Sequence, residues 1–449
     1  MHAHPCGVGT RAHSRDCANV AVERVEVVGQ IPAPPEAVWA IAGDFCGSWH
    51  PAIASIRAER GPGGALVRAF TVHGEERLFR ELVIYRSDSD RCLSYLALEG
   101  IDGAERYVGR IVISPSETGC SVTWSAEITA ASMRAAQIAA GTKLIFESGL
   151  AGLNAAVEAG QFHLPGPLVK ESVSELTTLT LSGNPTLALT VTPQREGPLV
   201  LFLHGIGGAR GNWAAQLHAV APFARAAALD LRGYGDSTLG PAQSTVDDHC
   251  DDILRVMQAI GADQLILVGL SFGAWIATSF ALRYPDKMHS LVLSGGCTGM
   301  SEASPQEREA FRHSREVPLN AGQTPADFAP AVVKVLSGPN ITPAVQAELL
   351  ATMSVIPVAT YRDAITCFTN PREQFDFSKV NLPVLLITGQ HDRLAPPTEI
   401  REVARRITAF AQQPDVRFEQ ILDAGHLCNL EQPSAYNKVL VDFIEGRLR

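Results

Sequence analysis

Several protein classes are marked by features that this sequence lacks. It has no Cys-x-x-Cys pair: nine cysteines are scattered singly from Cys6 to Cys428. An odd number without framework spacing suits reduced thiols in a cytoplasm rather than a disulfide scaffold. No stretch approaches the roughly 18 uninterrupted apolar residues of a membrane span, and residues 1–19 lack the apolar core of a signal peptide. Runs rich in Lys and Arg are missing and the formal net charge is −10, which argues against a nucleic-acid surface. Residues 1–19 carry His2, His4, Cys6, His13 and Cys17, which match no familiar metal-ligand spacing. They read as a loose tail. The glycine-rich Gly205-Ile206-Gly207-Gly208 lacks the Gly-Lys-Ser/Thr ending of a phosphate-binding loop, and no full dinucleotide fingerprint is present. No cofactor and no metal are therefore expected.

The chain does have ordinary globular composition, 46% hydrophobic and 19% charged, over 449 residues. That length exceeds what one core usually fills, so two domains are expected. Over residues 20–164 the pattern is strand (Val22 to Gln30), a proline break, a helix from Glu36 to Ile41 and a second short helical piece from Phe45 to Trp49. Strand-like runs then follow to Thr129, the last alternating Val122, Trp124, Ala126 and Ile128 with polar neighbours. From Ala131 to Ala159, Phe146, Leu150, Leu153 and Val157 recur at helical spacing. His50, His73, Tyr85 and Tyr107 read as packing or surface residues rather than catalytic ones, and Trp39, Trp49 and Trp124 as core. Leu164-Pro165-Gly166-Pro167 ends the helix and opens a linker over 165–176. The linker is short, so the domains are expected to touch.

This order, with Ile31-Pro32-Ala33-Pro34-Pro35-Glu36-Ala37-Val38-Trp39 followed by Trp49-His50-Pro51, resembles the SRPBCC or START-like superfamily, in particular its polyketide cyclase/dehydrase branch. The resemblance implies an α+β helix-grip fold in which a curved sheet wraps the long helix around a cavity for a hydrophobic ligand.

In residues 177–449 apolar strands alternate with helical stretches, which implies a mostly parallel, doubly wound sheet. The apolar run Leu265 to Val268 leads into Gly269-Leu270-Ser271-Phe272-Gly273 and then a buried helix. Strand, sharp turn and helix around Gly-x-Ser-x-Gly is the context in which a serine hydroxyl is lifted above a sheet as a nucleophile. Asp392 stands just past the apolar strand Val384 to Ile387, and His426 sits on a loop after the strand Val416 to Leu422. Ser, acid and His follow in that order. A serine hydroxyl is a weak nucleophile near neutral pH, so a base must take its proton, and an acid must hold that base's tautomer. Asp376 and Asp423 read as surface or capping groups, and His391 as a neighbour shaping the acid's loop.

His204-Gly205-Ile206-Gly207-Gly208, Asp230-Leu231-Arg232-Gly233-Tyr234-Gly235-Asp236-Ser237 and the Ser271 pentapeptide, in this order and spacing, are similar to the α/β-hydrolase fold. The segment from Ala424 to Asn437 resembles the one around the catalytic histidine of 3-oxoadipate enol-lactonases. The resemblance implies a Ser271-Asp392-His426 triad, with the backbone N–H groups of Ile206 and Phe272 as the oxyanion hole. Residues 298–372 are too long for a plain loop and hold four helix-like stretches, which implies a helical cap over Ser271. Trp213, Met353 and Phe368 are candidate substrate contacts. The function expected is cleavage of a carboxylic ester or lactone, a small-molecule substrate. Hydrolysis of a C–C bond in a β-diketone or ring-fission product is the alternative, and a ligand-binding or sensing protein with a vestigial hydrolase half the second. Dehalogenation is disfavoured because those relatives carry aspartate at the elbow.

Overall fold

The structure is a computed structural model that describes residues 20–61, 64–160, 175–372 and 374–448. The tail expected over 1–19 and most of the linker expected over 165–176 lie outside the described residues.

The first part runs β1 Val20–Ile31, α1 Pro35–Ala42, β2 Ile53–Arg60, β3 Leu66–Val72, β4 Phe79–Ser87, β5 Cys92–Glu99, β6 Ala104–Ser116, β7 Gly119–Ala131 and α2 Ser132–Glu158. Among themselves these strands pair antiparallel, with β1 closing against β7 along its whole length. Alternation along β7 buries Cys120, Val122, Trp124, Ala126, Ile128 and Ala130 on one face, and α2 lays Ile138, Phe146, Leu150 and Leu153 into that face. Segment Phe45 to Trp49, expected as a second short helix, is a turn instead. The Asp44 carboxylate accepts the Cys46 N–H and the Gly47 N–H closes on the Asp44 carbonyl, so a side chain outcompetes the helical bond. Aromatic and charged side chains pack on one another between sheet and helix. Trp124 stacks on Phe146 with ring centroids 4.5 Å apart and donates through Nε1 to the Tyr95 hydroxyl. Arg68, buried above the ring of Phe45, pairs with buried Glu81 at 2.6 Å. His50 and Tyr107 are buried in this packing and His73 is exposed.

The second part runs β8 Thr177–Leu181, β9 Leu187–Val191, β10 Leu199–Leu203, α3 Ala214–Val220, β11 Arg225–Leu229, α4 Val246–Ile260, β12 Leu265–Leu270, α5 Phe272–Arg283 and β13 Met288–Ser294. Four helices follow, α6 Pro305–Asn320, α7 Pro325–Leu336, α8 Pro343–Ser354 and α9 Val358–Thr369. The chain closes with β14 Val384–Gly389, α10 Pro397–Phe410, β15 Val416–Ile421, α11 Cys428–Glu431 and α12 Pro433–Leu448. The strands lie in the order β8-β9-β11-β10-β12-β13-β14-β15, parallel from β11 to β15 and antiparallel at β8 and β9. Strands covered on both faces are apolar throughout: every residue of β10 and β12 is buried. One face packs on α3 and α12, the other on α4, α5 and α10. The helices α6, α7 and α8 each begin with proline directly after Ser304, Thr324 or Thr342. The missing N–H at that position is one the helix would leave unbonded anyway, and the preceding hydroxyl residue caps the turn.

The two parts share one sheet. β4 runs parallel to β15, with Tyr85 opposite Val416 and Arg86 opposite Arg417. Beyond it, the Glu419 carboxylate accepts the backbone N–H groups of Asp88 and Ser89 at 3.0 and 2.9 Å. Arg417 bridges Glu419 and Asp88, and Arg401 grips both oxygens of Asp90 through Nε and Nη2. Tyr85 and Cys92 of the first part lie in the second part's hydrophobic core. Touching domains were expected; continuous strand pairing was not.

Candidate active site

The turn between β12 and α5 holds Ser271 at φ 55° and ψ −113°, a region that L side chains rarely enter. Two features hold it there. The Ser271 N–H donates to the Ser294 carbonyl at 2.8 Å, and strand and helix approach so closely that a Cβ on Gly269 would fall 2.2 Å from the Gly273 carbonyl oxygen. Only glycine fits both ends of this turn.

Asp392 follows β14 and His426 follows β15, so neighbouring parallel strands deliver both to the same end of the sheet as Ser271. The His426 Nδ1 and Asp392 Oδ2 are 2.9 Å apart. Oδ1 of Asp392 accepts the N–H groups of Leu394 and Ala395, both at 2.9 Å, which fixes the carboxylate plane. Both residues are buried, and Nε2 of His426 has no hydrogen-bond partner among the described residues. His391, expected to shape the acid's loop, ties that loop to the histidine's: its N–H donates to the Ala424 carbonyl. Asp376 caps the N–H of Ser378, and Asp423 is exposed.

Ser271 and His426 face a common cavity of about 340 Å³ beneath α6 to α9. Ile206 and Phe272 line it beside Ser271, and Trp213, Met353 and Phe368 line it further out. Phe272 opens α5, where the first N–H groups of a helix have no acceptor within it. The His204 loop comes close enough that a Cβ on Gly205 would lie 3.0 Å from that of Ser271, which brings Ile206 alongside.

Glu431 was not singled out in the sequence. Its buried carboxylate accepts the N–H of Gly425, next to His426, and the N–H of Gly338, at the end of α7. The His426 N–H in turn donates to the Leu336 carbonyl at 2.7 Å. A Cβ on Gly425 would fall 2.3 Å from that same carbonyl oxygen, so the histidine loop and the cap interlock backbone to backbone. The only sequence signal was a carboxylate five residues after the histidine, within a segment read as a family likeness.

Behind the serine, His249 of α4 meets the Phe272 ring edge-on at 5.3 Å. Burial first, and then the Arg232 guanidinium, push its imidazole down to about 3, against a smaller opposing pull from Asp248. His204, also buried, is pushed down by its burial. The folded protein therefore keeps these rings neutral while the unfolded chain takes up protons below pH 6.5. Stability is fully present above that pH and falls as pH drops through it. Burial raises Asp252, which offsets this only lower, in the carboxylate range near pH 4. A His249→Gln variant should flatten the melting temperature against pH between pH 6.5 and about 5; an unchanged slope would remove His249 from the cause.

The comparisons with known proteins bear on the fold of both parts. Residues 22–158 match the model of the polyketide cyclase / dehydrase and lipid transport family. A protein of Cronobacter turicensis named as the carbamate hydrolase RutD is 24% identical over 57% of this chain and 93% of its own length. The 2-(acetamidomethylene)succinate hydrolase of Mesorhizobium japonicum is 26% identical over 58% of this chain and 92% of its own. Among solved structures, a thermophilic esterase from Thermogutta terrifontis superposes with a TM-score of 0.53 and 26% identity, over 61% of this chain and 99% of that one. The model of the alpha/beta hydrolase fold matches residues 198–433, more than half of the sequence, and the chain belongs to that family as a hydrolase joined to a polyketide cyclase-like domain.

Proposed function

We propose that the protein is a serine hydrolase that cleaves a carboxylic ester or lactone through an acyl-enzyme. The observation that carries this is one cavity holding both a strained serine and a buried imidazole whose Nδ1 is bound to Asp392 and whose Nε2 is unpartnered among the described residues. Ser271 Oγ attacks the carbonyl carbon as His426 Nε2 takes its proton. Asp392 holds the tautomer with Nε2 free and stabilises the imidazolium. The N–H groups of Ile206 and Phe272 receive the oxyanion; losing one such donor costs about 3 kcal/mol of barrier in comparable sites. The tetrahedral adduct collapses, His426 protonates the departing alkoxide, and water repeats the sequence on the acyl-enzyme. The relatives named for carbamate and 2-(acetamidomethylene)succinate hydrolysis support hydrolytic attack at a carbonyl. For the amino-terminal domain the reading is a module that binds a hydrophobic ligand, supported by its likeness to the polyketide cyclase / dehydrase and lipid transport family, and it also pairs with the hydrolase sheet edge.

Product analysis on a short acyl ester and a simple enol lactone, run beside a fluorophosphonate label read by intact mass, tests the reading. One acid and one alcohol (from the lactone, the opened acid), with a single label on Ser271, is the expected result. An acid with a ketone or dienol from a β-diketone, and no ester turnover, would move the reaction to C–C cleavage. No label and no turnover by folded protein would make the hydrolase half vestigial.

A further inference from the structure

The cavity wall carries a cation at one place. Among the described residues that line it, Arg315 of α6 is the only lysine or arginine. Its guanidinium carbon sits 4.3 Å from the centre of the Phe311 ring. Phe311 meets Phe368 at 5.9 Å, and Phe368 meets Phe272, the residue after Ser271, at 5.8 Å. A continuous aromatic wall thus runs from the serine to the cation.

Arg315 makes no ion pair among the described residues; Arg308 of the same helix and Arg362 of α9 make none either, but neither lines the cavity. Arg210, Arg232, Arg401, Arg406 and Arg417 are all paired with acids, and neighbouring Arg312 is paired with Glu309. Arg315 donates to the Ser314 hydroxyl, and among the described residues it has no ion pair. Tyr361 of α9 lines the same cavity, and its hydroxyl makes no hydrogen bond among the described residues. Burial raises that hydroxyl's pKa and the Arg315 charge pulls it back, so the two groups sense each other across α6 and α9. On the Asp392 side, Glu399 at the cavity rim is raised by its burial and then by Asp392 and Glu302. That side is hostile to a second anion.

We propose that Arg315, assisted by the Tyr361 hydroxyl, forms a carboxylate subsite at the cap end of the catalytic cavity, so that the substrate is an ester or lactone bearing a free carboxylate. This rests on the serine-hydrolase reading of the same cavity. A guanidinium offers a planar pair of N–H donors that matches a carboxylate, and aromatic rings around it exclude water and strengthen the pairing. On a chain of net charge −10, an unpaired cation inside the cavity gives an anionic substrate its one favourable landing point. The carboxylate then anchors one end of the substrate while the aromatic wall spans the distance to Ser271.

The test compares 4-nitrophenyl hydrogen glutarate with its methyl ester, using kcat/KM for each and the ratio between them. That ratio is independent of how much of a variant is folded. Wild type should favour the free acid by about 10-fold or more, and Arg315→Ala should collapse the ratio by about 10- to 100-fold, the loss expected for one charge-assisted pair. Arg315→Lys should retain part of the ratio and Tyr361→Phe should lose less than Arg315→Ala. A wild-type ratio near one, or one that Arg315→Ala leaves unchanged, overturns the subsite while leaving the hydrolase reading standing. If wild type cleaves neither ester and Ser271 takes no label, that reading fails, and calorimetry with monomethyl glutarate still decides the subsite. Binding by wild type that Arg315→Ala loses supports it, and no binding overturns it.

Discussion

Replacing Ser271 with alanine should lower kcat for an activated ester by about 10⁴- to 10⁶-fold, the range found when a triad member that acts as nucleophile is removed. The expectation follows from how little else the change disturbs. Ser271 holds φ 55° because its N–H is bonded to Ser294 and because Gly269 and Gly273 let strand and helix close around it. Alanine meets the same backbone restraints, so the turn persists without its hydroxyl. The imidazole remains in place, tethered to Asp392 through Nδ1, with no oxygen to deprotonate. In the proposed mechanism the residual rate comes from the cavity and the two amide donors alone. Steady-state kinetics on the purified variant, with circular dichroism to establish folding, measures this, and a fall smaller than about 10-fold would remove Ser271 from the chemistry. Asp392→Asn is the companion change. Its side-chain oxygen can keep the N–H bonds from Leu394 and Ala395, but an amide facing Nδ1 favours the wrong tautomer. A loss of about 10⁴-fold is expected from that reversal.

What the sequence disclosed and what it withheld divide along a physical line. The positions of Ser271, Asp392 and His426 at one end of the sheet were legible because each is placed by local structure, at the end of an apolar run long enough to be a buried strand and short enough not to be a helix. The parallel sheet then brings such ends to one side without further information. Three of the four cap helices, α6, α7 and α8, were legible for the same reason, since each carries its own proline and hydroxyl start signal. Phe45 to Trp49 misled because its apolar residues suit a helix, whereas the contest is decided by one carboxylate, Asp44, bonding the backbone two residues on. β8 is short and threonine-rich at the sheet's antiparallel edge, with its threonines exposed and only Leu179 and Leu181 packed on the core, an alternation too brief to stand out. Glu431 and the shared sheet were not legible at all. Glu431 acts by bonding Gly338, 93 positions away along the chain, and the pairing of β4 with β15 joins segments more than 300 residues apart. Edge-to-edge pairing depends on matching two exposed strand edges in space, and neither edge announces its partner.

That junction yields the second large effect. Glu419→Ala should lower the unfolding free energy by about 3–5 kcal/mol, the loss typical when one member of a buried ion pair is removed and its partner left behind. Glu419 is 3% exposed, and its carboxylate satisfies Arg417 and the amides of Asp88 and Ser89 together. Burial pushes its pKa up and the adjacent Arg417 guanidinium opposes that; without it the arginine keeps only Asp88, and two N–H groups at the domain seam lose their acceptor. The strand concerned is also the one that runs through Leu422, Asp423, Ala424 and Gly425 to His426. A seam that loosens should therefore lower kcat as well as stability, whereas a change in the amino-terminal domain's interior should affect stability alone. Urea unfolding followed by tryptophan fluorescence separates the cases, since Trp39, Trp49 and Trp124 report on the first domain and Trp213 and Trp275 on the second. Coincident transitions in wild type, with Glu419→Ala splitting or lowering them, follow from a sheet that continues across both domains. A loss below about 1 kcal/mol, with kcat unchanged, would mean that the pairing of β4 with β15 carries no weight and that the domains are held by their apolar contacts alone.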